Sequence, residues 1–405
     1  MKLLHVVDRF GWSIGGGDLY VERILEPLER IGIQSSVAYF NCNPGRSWSH
    51  LKTYHIPELM HFSGSARNGV ARLREVIREL QPEAAFVHFL PNENIGLALV
   101  RTLPTVYYAL DYQAICPAGT QWLRVPNQPC GRTVGLACLI SAYTAGCYTR
   151  RPRPLFAAYH HTRATHHWLR HACILVPSRF SQKRFLAAGF AAEQLFILPL
   201  PIYTTSRVPT ALHSVRPPII LFAGRLVREK GLDDLLHALA SLTHLAWRLV
   251  IAGDGPERET YQALALQLGL SERVEFLGWL NDSGLDYLYT QAAFMVVPSR
   301  WPEPFGMVGP EAMVRGLPVI AYATGGIQDW LIDGETGLAV SPGDLSSLSQ
   351  AIRRLLEDPD LRRQMGLRAR SWVLEHLSFE QHCSNLQEIF ERTISQWAVR
   401  SYGRY

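Results

Sequence analysis

The sequence predicts an α/β protein made of two doubly wound parallel sheets. Three observations carry that expectation. Short apolar runs alternate with amphipathic stretches along almost the whole chain, which is the pattern of parallel strands covered by helices. A stretch holding Pro199, Pro201, Pro209, Pro217 and Pro218 interrupts the alternation near its midpoint and can continue neither helix nor strand for long. The length of 405 residues, 47% hydrophobic and 19% charged, suits two or three domains with ample apolar surface to bury, and excludes a disordered chain.

Taken in order, the first half reads as a strand at 3–7, a glycine loop at Gly15, Gly16 and Gly17, a helix over 18–30 and a strand at 33–38. Further strands are expected at 84–89, 105–109, 173–176 and 196–198. After the proline-rich linker a new series begins, with strands at 219–223, 248–252, 274–277, 294–297, 318–321 and 338–340 separated by helical patterns. The end, from about residue 345 to 397, is mostly helical. The domains are therefore set at 1–206 and 207–385, followed by a helix and tail at 386–405.

The formal charge of +5 conceals an asymmetry, because residues 1–206 carry +9 and the remainder carries −4. A basic half is either ordinary solvated surface or a surface that meets phosphates or lipid head groups. The stretch without charge from Thr133 to Thr149 is too short and too polar to span a bilayer, and the N-terminus lacks a signal-peptide core. The protein is expected in the cytoplasm, with its seven cysteines reduced.

Candidate chemistry concentrates in the second half. Gly224 and Arg225 follow the first strand there, and Lys230 precedes the next helix, where a phosphate would meet both cations beyond the strand's carboxyl end. Glu303, Phe305, Gly306, Met307 and Glu311 lie beyond the strand 294–297, which places two carboxylates able to accept hydrogen bonds from sugar hydroxyls on the same edge. A third glycine turn, Thr324-Gly325-Gly326, follows the strand 318–321.

These segments, with Ile251-Ala252-Gly253-Asp254-Gly255-Pro256, Gly316-Leu317-Pro318-Val319-Ile320 and Asp333-Gly334-Glu335-Thr336-Gly337, resemble the retaining glycosyltransferases of family 4, in order across 219–340. Val176-Pro177-Ser178-Arg179-Phe180 and Ala188-Gly189-Phe190 extend the resemblance into the first half. It implies a GT-B fold, two Rossmann-like domains facing a central cleft, with the C-terminal helix returning to the N-terminal domain. It implies transfer of a sugar from a nucleotide-diphosphate sugar, UDP- or GDP-linked, to a glycan or lipid-linked acceptor in cell-envelope or exopolysaccharide synthesis. No cofactor or metal is required by that chemistry, because fixed cations can stabilise the departing diphosphate. Arg225 and Lys230 match the diphosphate-binding cations, Glu303 the carboxylate beside the donor sugar and Glu311 the one that holds the ribose. Gly224, Phe305, Gly306 and Met307 fall in the donor loops.

On the acceptor side the resemblance points to Gly15, Gly16, Gly17, His88 and Asp111. Leu110 stands where many relatives carry a histidine that touches the donor sugar. That departure keeps open a noncatalytic nucleotide-sugar or glycan-binding scaffold, beside a nucleotide-sugar 2-epimerase on the same fold. Cys116, Cys130, Cys138 and Cys147 crowd one segment without a Cys-x-x-Cys pair, so buried thiols, a zinc site and disulfides are all open. His160, His161, His166, His167 and His171 share a basic helix with Arg163, Trp168 and Arg170, downstream of Arg150, Arg151 and Arg153. A solvated face is the plain reading; contact with an anionic membrane or a lipid diphosphate is the functional one. Nucleic acid is not an expected partner.

Overall fold

The computed structural model describes residues 1–11, 16–43, 51–60, 66–203 and 216–402. The chain divides into two compact units, one formed by Met1–Pro199 with Phe379–Tyr405 and the other by Leu200–Ser378.

The first unit runs β1 (Lys2–Phe10), α1 (Gly16–Arg30), β2 (Gln34–Cys42), β3 (Lys52–His55), α2 (Ala66–Leu80), β4 (Ala84–Val87), α3 (Glu93–Thr102) and β5 (Thr105–Tyr108). A small hairpin of β6 (Trp122–Leu123) and β7 (Gln128–Pro129) precedes α4 (Ala137–Thr144), α5 (Pro152–Leu169), β8 (Cys173–Val176), α6 (Arg179–Ala187) and β9 (Leu195–Ile197). Its seven-stranded sheet is ordered β3-β2-β1-β4-β5-β8-β9, and every pairing in it is parallel. The central strands β4, β5 and β8 are buried along their whole length, which is why they read as continuous apolar runs. Strand β3, Lys-Thr-Tyr-His, is the exposed sheet edge and has no apolar run, so the sequence pattern passes over it. Helices α3 and α6 start where Asn92 and Ser178 accept the backbone N–H of Ile95 and Ser181.

The second unit runs β10 (Ile219–Ala223), α7 (Leu232–Ala240), β11 (Arg248–Ala252), α8 (Arg258–Gln267), β12 (Val274–Gly278), α9 (Asp282–Gln291), β13 (Phe294–Val297), α10 (Val308–Met313), β14 (Val319–Tyr322), β15 (Gly337–Val340), α11 (Leu345–Glu357) and α12 (Pro359–His376). Its parallel six-stranded sheet is ordered β12-β11-β10-β13-β14-β15. Leu235, Leu239, Trp247, Leu249, Ile251, Phe294, Ile352 and Met365 belong to one core between this sheet and its helices.

The last helix, α13 (Phe379–Tyr402), belongs to the first unit. The structure thus divides at 199/200 and 378/379, against 206/207 and 385/386 from the sequence. The second shift arises because α13 is anchored from its first turns: His382 bonds the carbonyl of Pro199 (2.9 Å) and the hydroxyl of Tyr20 (2.8 Å). Farther along, Phe390 is fully buried edge-on to Phe86, with ring centroids 5.3 Å apart, and the Trp397 indole donates to Val100 O at 3.2 Å.

In both sheets the strand order reverses at the middle, between β1 and β4 in one and β10 and β13 in the other. Loops leaving the carboxyl ends of such strand pairs diverge and open a crevice, the usual ligand position in open α/β sheets. If α13 closes the first unit as described, Phe390→Ala should destabilise it by about 3–5 kcal/mol. Urea unfolding followed by far-UV circular dichroism checks this; an unchanged profile would mean that α13 is not part of that core.

Candidate active site

The second unit's crevice is built from three adjacent loops, those after β10, β13 and β14. Gly224 follows β10 directly and donates its N–H to Ala252 O at 3.0 Å, with open space where a side chain would stand. Arg225 is exposed and makes no ion pair or side-chain hydrogen bond among the described residues. Lys230 ends a short 3-10 turn, Arg228–Lys230, just before α7.

Glu303, after β13, is only 5% exposed. A carboxylate removed from water that far needs partners. It has two: Lys230 Nζ lies 2.5 Å from Oε1, and the Ser299 hydroxyl donates to the same oxygen at 2.8 Å. The Lys230 ammonium also sits 5.4 Å from the centroid of the Trp301 ring, close enough for a cation–π contact. The site therefore joins a cation from the β10 loop to a carboxylate from the β13 loop across the switch point.

A second set of contacts holds the two loops in register. Arg300 donates to Asp234 Oδ2 and Asp233 Oδ2, both at 2.8 Å, and its own N–H donates to Glu229 O at 2.9 Å. Burial opposes the Arg300 charge, but the two aspartates outweigh it and move its pKa up. The Tyr322 hydroxyl adds a 3.0 Å bond to Asp234. Arg300 is thus a positioning residue that fixes the backbone on either side of the Lys230–Glu303 pair. Sequence reasoning passed over it; the signal available was the Asp233-Asp234 pair at the start of α7, which calls for a buried cation.

The β14 loop closes the back of the site. Gly326 N donates to Glu303 O at 2.7 Å, and Thr324 Oγ1 donates to Ser299 O and Trp301 O, both at 3.1 Å. A Cβ on Gly325, which has φ +55°, would stand 2.4 Å from Glu303 O, so only glycine permits this approach. Phe305 is buried, and its carbonyl accepts the Trp330 indole N–H at 2.7 Å. Gly306 (φ +82°) turns the chain toward Met307, the residue that caps α10. On α10, half-buried Glu311 has the Tyr289 hydroxyl 3.5 Å from Oε2. Burial and the Glu311 charge push the Tyr289 pKa well up. Arg225, Lys230, Glu303 and Glu311 therefore stand on loops or helices at one edge of one sheet, with a direct contact shown for Lys230 and Glu303.

In the first unit, Gly15 lies outside the described residues, while Gly16 and Gly17 open α1 after β1. His88 stands just past the end of β4, with its ring stacked on His5 at a centroid distance of 5.6 Å. His5 Nδ1 is 3.3 Å from His88 Nε2, and His5 Nε2 is 3.1 Å from Ser35 Oγ. Burial holds both imidazoles neutral, lowering His5 to about 3; for His88 the neighbouring His5 adds to the effect. The Nδ1 of His88 is buried with no hydrogen-bond partner among the described residues. Asp111, past β5, accepts from Gln113 N (2.8 Å) and Gln113 Nε2 (2.7 Å), yet burial pushes its carboxyl up to about 6. His88 and Asp111 thus mark the ends of neighbouring strands, and Leu110 precedes Asp111 with its N–H on Tyr108 O at 3.0 Å.

All seven cysteines are free. Cys116, Cys130, Cys138 and Cys147 line one small cavity of about 30 Å³ with Arg132 and Trp122. Among the described residues no group of three or more His, Cys, Asp and Glu is arranged to hold a metal ion. Burial, with the neighbouring thiols Cys130 and Cys138 adding to it, pushes Cys116 up to about 11. His167 pairs with Glu93, and His166 Nε2 lies 2.9 Å from Ala188 O, so these histidines are engaged within the first unit.

Residues 209–372, nearly all of the second unit, match the family model for Glycosyl transferases group 1. The fold is GT-B. Over 97% of this chain and 100% of the other, the structure aligns with Alr3699/HepE of Anabaena, crystallised with UDP, at a TM-score of 0.71 and 19% identity. It aligns with sucrose-phosphate synthase of Thermosynechococcus elongatus over 98% of this chain and 100% of the other, at 0.70 and 20%. In sequence the chain is 35% identical to alpha-D-kanosaminyltransferase of Streptomyces kanamyceticus over 37% of its own length and 39% of that protein's. It is 31% identical to the GDP-mannose-dependent alpha-(1-6)-phosphatidylinositol monomannoside mannosyltransferase of Mycolicibacterium smegmatis over 52% of its length and 60% of the other's. The matched segments thus span about two-fifths to three-fifths of these curated relatives.

The close approach of the β14 loop gives a direct check. Gly325→Ala should displace the Glu303 backbone and destabilise the second unit by about 1–3 kcal/mol, although residue 325 carries no functional group. Urea unfolding would show it; wild-type stability would mean that Glu303 is not held from behind by this glycine.

Proposed function

We propose that the protein is a retaining glycosyltransferase that moves a sugar from a nucleotide-diphosphate sugar to a glycan or lipid-linked acceptor, in cell-envelope or exopolysaccharide synthesis. The observation that carries the reading is the pair that half-buried Lys230 makes with buried Glu303, 2.5 Å across the switch point of the group 1 region, with exposed Arg225 on the same loop as Lys230. The named relatives and the UDP-bound structural neighbour support nucleotide sugars, UDP- or GDP-linked, as donors.

The chemistry follows from charge. As the glycosidic bond to the diphosphate breaks, positive charge grows on the sugar and negative charge on the leaving phosphate. Arg225 offers a planar fork and Lys230 a point charge to that phosphate, and both interactions strengthen as the bond breaks. Glu303 has two parts: it aims Lys230, and it presents a carboxylate beside the sugar's hydroxyls. Glu311 takes the ribose hydroxyls, with Gly224, Phe305, Gly306 and Met307 supplying backbone around the donor. Attack comes from the leaving-group face, with the donor phosphate taking the acceptor's proton, so that configuration is retained. Gly15, Gly16, Gly17, His88 and Asp111 serve the acceptor side, where His88 Nδ1 is a buried polar atom in want of a partner. The basic stretch 150–171 meets an anionic membrane or a lipid diphosphate.

Leu110, in place of the histidine many relatives carry, favours one second reading, a scaffold that binds nucleotide sugars and transfers nothing. A panel of nucleotide sugars scored for binding and for slow donor hydrolysis separates the two. The transferase reading predicts binding and hydrolysis of at least one donor, and a fall in hydrolysis of about a hundredfold or more for Arg225→Ala or Glu303→Ala. Binding without turnover would favour the scaffold. Wild-type turnover in both variants would remove the assigned site.

A further inference from the structure

We propose that α4, together with the first turn of α5, docks the protein on an anionic lipid bilayer by inserting apolar side chains between the head groups. This extends the membrane contact proposed above to a particular element, and it stands or falls apart from sugar transfer.

The first observation is electrostatic. From residue 112 to 192 the chain has no aspartate or glutamate, although its average of 35 in 405 would place about seven there. The same stretch holds ten cations: Arg124, Arg132, Arg150, Arg151, Arg153, Arg163, Arg170, Arg179, Lys183 and Arg184. Much of the first unit's positive charge is therefore local, and no carboxylate in the stretch offsets it.

The second observation is structural. Helix α4 carries no charged residue, and Leu136, Ile140 and Tyr143 are 71%, 64% and 46% exposed. Their spacing of four and three puts them on one helical face, while Ser141 and Ala142 are buried behind them. Phe156, in the first turn of α5, is another exposed large apolar side chain, and Arg150, Arg151 and Arg153 before it are exposed as well. Beside this face runs an open groove of about 520 Å³ lined by Leu136, Tyr159, Arg163, His167 and Arg170. The carboxylate beside it, Glu93 of α3, is engaged by His167.

Exposed apolar side chains, with Arg163 and Arg170 sharing a groove with Leu136 and Arg150, Arg151 and Arg153 close to Phe156 in the chain, match the two layers of a bilayer surface, acyl chains below and phosphates above. A second copy of the chain fits poorly, because two such faces would bring cations to cations with no carboxylate of the stretch to answer them. No helix among the described residues is long and apolar enough to cross a membrane, so the contact assigned here lies at the surface.

Flotation with vesicles of phosphatidylcholine, with and without phosphatidylglycerol, tests the assignment on the full chain. The protein should float with the anionic vesicles, stay behind with the neutral ones, and be released by salt. Replacing Arg150, Arg151 and Arg153 by Gln should weaken partitioning about a hundredfold, since each cation near such a surface contributes roughly a factor of five. The pair Leu136→Glu and Ile140→Glu should abolish flotation while circular dichroism and donor hydrolysis stay as in wild type. Absence of flotation, or flotation that survives both sets of replacements, would overturn the proposal. So would light scattering that shows a dimer dissociated by the α4 pair, because the face would then belong to a second copy.

Discussion

The second unit's functional edge depends on the need to satisfy one buried carboxylate. Glu303 is nearly sealed from water, and a bare charge there would cost several kcal/mol. Lys230 and Ser299 meet that need, and in doing so they fix where the β10 and β13 loops stand. Other contacts reinforce the same arrangement: Arg300 ties the β13 loop to α7, and the β14 loop bonds the Glu303 carbonyl through Gly326. A cation held by a buried partner loses little freedom when a phosphate arrives, which is how pre-organisation turns structure into affinity.

The two units use one plan differently. Each is a parallel sheet whose strand order reverses at the centre, yet the candidate residues near the two switch points differ. In the second unit the crevice holds ionic groups, Arg225, Lys230, Glu303 and Glu311. In the first, burial lowers the pKa of His5 within β1 and of His88 just past β4, and pushes the carboxyl of Asp111, past β5, up to about 6. Positive charge in the first unit is gathered instead along residues 112–192, where it is paired with an exposed apolar helix. The net charge of the chain conceals this arrangement.

Much of the architecture was legible because parallel strands buried on both faces announce themselves. The strands at 173–176, 219–223, 248–252 and 294–297 have in the structure the bounds their apolar runs suggest. The edge strand β3 and the hairpin β6–β7 were not legible, since neither buries a continuous run. Residue identities at the candidate site were legible as motifs, but the contacts between them were not. Nothing in the order of residues says that Ser299 would share an oxygen of Glu303 with Lys230, or that Arg300 would bridge to Asp233 and Asp234, because these contacts join segments more than sixty residues apart or turn on loop geometry. The exposure of α4 was equally hidden: its composition suits a core helix, and only the fold shows which face is left uncovered.

The central claim is that Glu303 acts on the diphosphate through Lys230. A double-mutant cycle with Lys230→Met and Glu303→Gln, read by calorimetric binding of UDP and GDP, tests it most directly, since these ligands lack the donor sugar whose hydroxyls Glu303 would touch. The account predicts that Glu303→Gln weakens binding in the wild type and has almost no further effect once Lys230 is Met, a coupling of at least about 1 kcal/mol. Strictly additive effects, or tighter binding on removal of the carboxylate, would contradict it.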